Sequence, residues 1–184
     1  ALFLFISVGL MGTMLLSGVF LQRIEHHTAI AASGVLAAAG LLILSASGSV
    51  LPFRVGLFVI GAGAGLYLPS GMTTLTDVVH YRQWGRAIAL HELGPIFGLA
   101  AAPFLAELAL RFGNWRALMV LLSAVALAAS LAFWRFGEGG RFRGTPPAWS
   151  AVGRLFRKPQ FWLITFLFVM ALGLEMGVYS MLPT

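Results

Sequence analysis

Five side chains able to do proton or polar chemistry interrupt long apolar runs: Tyr67, His91, Glu92, Glu175 and Tyr179. His91 and Glu92 lie five and six residues past Arg86, hence about 8–9 Å along a helix at about 1.5 Å per residue. Glu175 stands deep in the last run, and Tyr179 follows one helical turn later, on the same face. Carboxylates and imidazoles so placed can take up and release protons. A phenol can orient a bound molecule. Hydrolytic chemistry would need a nucleophile with its base, or paired metal ligands. His91 is the one histidine inside an apolar run, and Pro95 occupies the position one turn on. No enzyme, metal or cofactor is therefore expected. The Gly61-Ala62-Gly63-Ala64-Gly65 run is not a dinucleotide loop, since Leu66 stands where a third spaced glycine is needed. Gly61 and Gly65 instead make a small-residue face for close helix packing.

The elements that hold these residues are long and apolar. The chain has 184 residues, of which 59% are hydrophobic and 10% charged. Its mean hydropathy is +0.92. Ordinary soluble domains carry about 25% charged residues. Six segments, near 2–21, 29–47, 55–76, 87–106, 117–134 and 160–182, are long enough to cross roughly 30 Å of hydrocarbon. They must be helices, because lipid offers no water to the backbone N–H and C=O groups. A closed barrel would alternate with period two, and these runs do not. The fold expected is an all-α polytopic membrane bundle with six spans. The net charge of +6 is spread over the connectors between runs, the pattern of a multi-pass membrane protein rather than of a nucleic-acid binder. There is no cysteine, so disulfides are excluded.

Lys and Arg counts on alternate sides orient the chain. Connectors 22–28, 77–86 and 135–158 hold nine: Arg23, Arg82, Arg86, Arg135, Arg141, Arg143, Arg154, Arg157 and Lys158. The other side holds three: Arg54, Arg111 and Arg116. The richer side is expected to be cytoplasmic. The hydrophilic stretch 135–158 reads as a divider between two bundles. Ala1 already lies inside an apolar run and Thr184 closes another, so the chain is expected to be a fragment, with a span before it.

Several motifs in this order resemble the major facilitator superfamily of secondary transporters, and the chain looks like the second to seventh of its twelve helices. Gly18 and Arg23 match the family's loop between helices two and three. Gln22 stands in place of its acid, Glu25 in place of a glycine, and His26-His27 in place of its basic pair. Asp77 matches an acid that joins this inner charge cluster, so the resemblance implies an Arg23–Asp77 contact. Leu57 stands where the fourth family helix usually carries an arginine; Arg54 lies three residues earlier. Gly94-Pro95-Ile96-Phe97-Gly98 resembles the Gly-Pro-x-x-Gly element of helix five, with Leu99 in place of a further glycine. Gly113-Asn114-Trp115-Arg116 looks like the start of helix six, and Arg157 to Trp162 like that of helix seven.

The resemblance implies residues 1–134 as an N-terminal bundle lacking its first helix, 135–158 as a cytoplasmic loop, and 159–184 as the first helix of a second bundle. It implies transport of a small molecule by alternating access in a bacterial cytoplasmic membrane, with a coupled ion such as H+, no cofactor and no nucleic-acid partner. Tyr67, His91, Glu92, Glu175 and Tyr179 are the substrate or proton candidates. Gly18, Arg23, Asp77, Arg86, Gly94, Pro95 and Gly98 are the gating residues. The rival reading is a membrane scaffold or assembly subunit that does not transport.

Overall fold

The computed structural model describes residues 2–111, 113–145 and 149–181, with the side chains at 3, 149, 151, 172 and 175–181 outside the description. Among the described residues seven helices follow in order: α1 (Phe3–Phe20), α2 (His26–Ala46), α3 (Val50–Val78), α4 (Trp84–Arg111), α5 (Trp115–Phe136), α6 (Trp149–Phe156) and α7 (Pro159–Met181). A single 3-10 turn, Tyr81–Gln83, joins α3 to α4. Among the described residues the one β feature is an isolated antiparallel bridge between Glu25 and Arg143.

Four segments, His26–Ala46, Val50–Val78, Tyr81–Arg111 and Trp115–Phe136, are long and apolar enough to cross a bilayer. Two shorter apolar stretches, Leu4–Phe20 and Pro159–Ala171, occupy the first and last expected spans. Large apolar side chains point outward: Leu15, Leu90, Phe104, Leu110 and Phe136 are all exposed. Soluble proteins do not expose apolar surface on this scale. The third helix begins at Val50 rather than near 55, because Pro52 falls in its first turn, where a missing N–H is no loss. The connector 135–158 is not all loop, since it contains α6. Its apolar Trp149, Val152 and Phe156 recur at helical spacing beside Ser150, Gly153 and Arg154.

The chain divides into two compact units, Ala1–Pro146 and Pro147–Thr184. In the first, α3 packs between α1 and α2, and α5 lies on α2. Glycine makes this packing possible. A methyl at Gly61 or Gly65 would collide with the carbonyl oxygen of Ile6 or Leu10 on α1, and one at Gly63 would lie 2.8 Å from the Ser33 carbonyl on α2. The alternating glycines thus present two faces to two neighbours. Serines join α5 to α2: Ser123 donates to the Ala38 carbonyl at 2.8 Å and Ser130 to that of Ala31 at 2.6 Å.

The α4–α5 corner explains the Gly-Asn-Trp-Arg sequence. Gly113 takes φ +68, a left-handed conformation that suits glycine. The Asn114 side chain caps α5 by accepting from the Ala117 N–H at 3.0 Å. Arg116 lies over the Trp115 ring and donates to the Ser47 carbonyl at 3.0 Å, tying the corner to the α2–α3 turn. In the second unit the Trp162 indole donates to the Phe156 carbonyl at 2.9 Å, and both rings pack on Phe161. These contacts fix the turn from α6 into α7.

Candidate functional site

A cavity of about 520 Å³ opens between α2, α3, α4 and α5. Ile30, Leu75, Val78, Ala126 and Phe133 give it apolar walls; Tyr67, Thr74, His91 and Glu138 also line it. Tyr67 Oη and His91 Nε2 share a hydrogen bond of 2.6 Å, and the two rings stack at 5.8 Å. This pair links α3 to α4, which otherwise touch little. Gly71 leaves the tyrosine its place: a methyl there would sit 3.0 Å from Tyr67 Cζ. With the phenol donating to Nε2, the imidazole keeps its proton on Nδ1. That atom lies 3.5 Å from Glu92 Oε1, an ion-pair distance rather than a formed hydrogen bond. Glu92 is 56% exposed and His91 22%, so the series runs from an open carboxylate to a half-buried phenol.

Other polar groups of the wall are committed or idle. The Ser33 hydroxyl donates to the Ile30 carbonyl within its own helix, and Ser130 to Ala31. Thr74 Oγ1 is buried with no hydrogen-bond partner. An unpaired hydroxyl in an apolar wall costs free energy and is ready to bind a polar group of a guest.

The remaining expected residues fall elsewhere. Asp77 accepts from the Gly140 N–H at 3.4 Å. Arg23 and Arg86 are exposed. Among the described residues the ion pair is Glu107–Arg111, with His91–Glu92 becoming one only when the imidazole is protonated, so Arg23 and Asp77 are not joined in this structure. Gln22, in the position of the family's acid, donates to the Gly18 carbonyl at 2.9 Å. Methyls at Gly18, Gly94 or Gly98 would meet nothing within 4 Å, and α4 runs unbroken through Pro95 and Pro103. Arg54 lies over the Phe5 ring on α1, away from the cavity. The side chains of Glu175 and Tyr179 lie outside the described residues. Among those described, no three His, Asp or Glu group as a metal site requires.

Sequence reasoning missed Thr74, Ser130 and Glu138. Thr74 and Ser130 look like ordinary small polar residues of apolar helices. Glu138 had one signal, the glycines at 137, 139 and 140 that let the chain turn it back toward the bundle.

Comparison with known proteins agrees with this architecture. The chain matches the family described as Major Facilitator Superfamily over residues 1–184. It is also similar to a chloramphenicol resistance protein of Pseudomonas aeruginosa, with 27% identity over 175 residues, 92% of this chain and 41% of that relative. The chain thus spans about two fifths of the relative's length.

Proposed function

The chain belongs to the major facilitator superfamily, and from that premise we propose that the full-length protein carries a small solute across a bacterial cytoplasmic membrane by alternating access, as a secondary transporter. The observation that carries this reading is the Tyr67–His91 hydrogen bond at the wall of a cavity between four helices. The volume of about 520 Å³ falls in the range that holds small organic molecules, roughly 300–1,000 Å³. Apolar walls with a few polar groups favour an uncharged, partly aromatic solute. The name of the Pseudomonas relative points to the same class.

The polar series also offers a route for a coupled proton. Protonation of His91 turns Nε2 from acceptor to donor, so the bond to Tyr67 must reverse. The imidazolium then attracts Glu92 more strongly. A proton arriving at His91 therefore alters the polar link that joins α3 to α4 at the cavity wall, the kind of local change that can bias two packings of a helix pair. Gly94, Pro95 and Gly98 lie on the same helix, and Arg23, Asp77 and Arg86 act at its cytoplasmic side as gating groups.

The test uses the full-length protein expressed in drug-sensitive cells, with accumulation of labelled chloramphenicol as the readout. Expected is lower accumulation than in vector controls, with the difference largely lost in Tyr67→Phe and His91→Asn at equal expression. Equal accumulation with and without the protein, for chloramphenicol and a panel of similar apolar solutes, would favour the non-transporting scaffold instead.

A further inference from the structure

The segment that leaves α5, residues 137–144, folds back onto the bundle. The Phe142 carbonyl accepts from the His26 N–H at 3.1 Å and that of Gly140 from the His27 N–H at 2.9 Å. These N–H groups are among those a helix leaves open at its start, and no side chain caps α2. Gly144 N–H donates to the Leu21 carbonyl at 2.7 Å, and Gly140 N–H to Asp77. The Phe142 ring lies 5.0 Å from that of His26. Four residues, Leu21 after α1, His26 and His27 at the start of α2 and Asp77 in α3, are thereby tied to one short segment.

The segment also bears on the cavity. Gly139 and Gly140 have φ +78 and +67. A methyl at Gly139 would collide with Val78 Cγ1, and one at Gly140 would lie 2.5 Å from Thr74 Oγ1 and 3.0 Å from the His27 nitrogen. Thr74, Val78 and Glu138 are themselves cavity-lining residues. The two glycines therefore seat the backbone directly against the cavity wall at one end. Beyond the hydrogen bonds and the Phe142–His26 ring contact little holds it there: Arg141, Phe142 and Arg143 are exposed. Segments with few buried apolar contacts open at low cost.

We propose that residues 137–144 form a strap that closes one end of the cavity and lifts to connect it with the aqueous phase on that face. Asp77 is the strap's anchor, a role apart from any pairing with Arg23. The proposal rests on the cavity being the solute's path, as argued above, but its test needs no solute.

The chain has no cysteine, so Ala126→Cys on the cavity wall can report access in a cysteine-free full-length protein. A membrane-impermeant maleimide is applied to vesicles that expose the strap face. Gly140→Ala should lift the strap, since the new methyl has neither room nor a favourable φ, and should speed labelling severalfold. A second variant pins the strap. A Cβ at Gly144 lies 3.1 Å from Leu21 Cβ, near enough for a disulfide after a small shift. The oxidised Leu21→Cys/Gly144→Cys pair should slow labelling of Ala126→Cys below the parent rate. Labelling as fast with the strap pinned as with it free overturns the proposal, whether or not Gly140→Ala folds. Loss of solute transport in Tyr67→Phe with the labelling pattern intact would bear on the transport reading alone.

Discussion

Replacing Gly61 by alanine tests whether α1 and α3 are held by backbone approach. The added Cβ would fall 2.8 Å from the Ile6 carbonyl carbon and 3.0 Å from Ile6 Cα, and closer still to the carbonyl oxygen. All three are backbone atoms, so no rotamer change relieves the clash. Ordinary contact begins near 3.4 Å, so the helices must part by more than half an ångström around that turn. Forcing a methyl into a packed site costs about 1–3 kcal/mol. Alanine returns up to about 1 kcal/mol through its better helix propensity. The net expectation is a loss of about 1–2 kcal/mol, or roughly tenfold in the folding equilibrium. The full-length protein in lipid–detergent micelles, unfolded with increasing SDS and followed by tryptophan fluorescence, gives the measurement. Gly12→Ala is the control, because its methyl meets nothing within 4 Å, and it should be neutral or slightly stabilising. The reasoning fails if Gly61→Ala unfolds at the same SDS fraction as the parent, or if both variants shift alike.

Ser123→Ala and Ser130→Ala each remove one hydroxyl bond between α5 and α2; each should cost about 0.6 kcal/mol, the average for such bonds between membrane helices, and the two should add in the same unfolding assay. Uptake measured over a pH series in Glu92→Gln and Glu175→Gln should lose its pH dependence in at least one variant, and an unchanged profile in both would remove these carboxylates from proton coupling. A double-mutant cycle on Arg23 and Asp77, read as resistance to SDS unfolding, should give a coupling of about 0.2–1 kcal/mol, the range for exposed ion pairs. That coupling should vanish when the Leu21→Cys/Gly144→Cys disulfide pins the strap; coupling that survives pinning would show that strap and Arg23 do not compete for Asp77.

The helical bundle was legible because lipid makes one demand repeatedly. Each span needs enough apolar residues to cross and a helical backbone to satisfy itself. The segments near 29–47 and 117–134 therefore became α2 and α5 with bounds shifted by only a few residues. Helix ends depend on local chemistry that hydropathy averages away. The helix α3 begins at Val50, with Pro52 in its first turn, and α6 lies inside a stretch whose charges read as loop. The glycine face was legible only in part. Spacing of four picked out Gly61 and Gly65, whereas the role of Gly63 depends on a second helix lying on the opposite side.

The site was legible residue by residue and not as a constellation. Tyr67 and His91 stand out as polar groups in apolar runs, yet nothing in the spacing of 24 positions places one ring over the other. Asp77 shows the deeper difficulty. Its position and charge fit an ion pair with Arg23, because a carboxylate beside a basic loop has an obvious partner. A backbone N–H, however, comes with every residue but proline, and sequence patterns do not say which one will be delivered to a given carboxylate. Here three glycines after α5 let the chain reverse, bring the Gly140 N–H to Asp77 and the Gly140 carbonyl to the start of α2. Under the proposed reading this one acid serves two alternatives, the strap over the cavity and Arg23 of the first loop. The proposed alternating-access cycle calls for an element with two exclusive contacts, and Asp77 already makes one of them, with the Gly140 N–H.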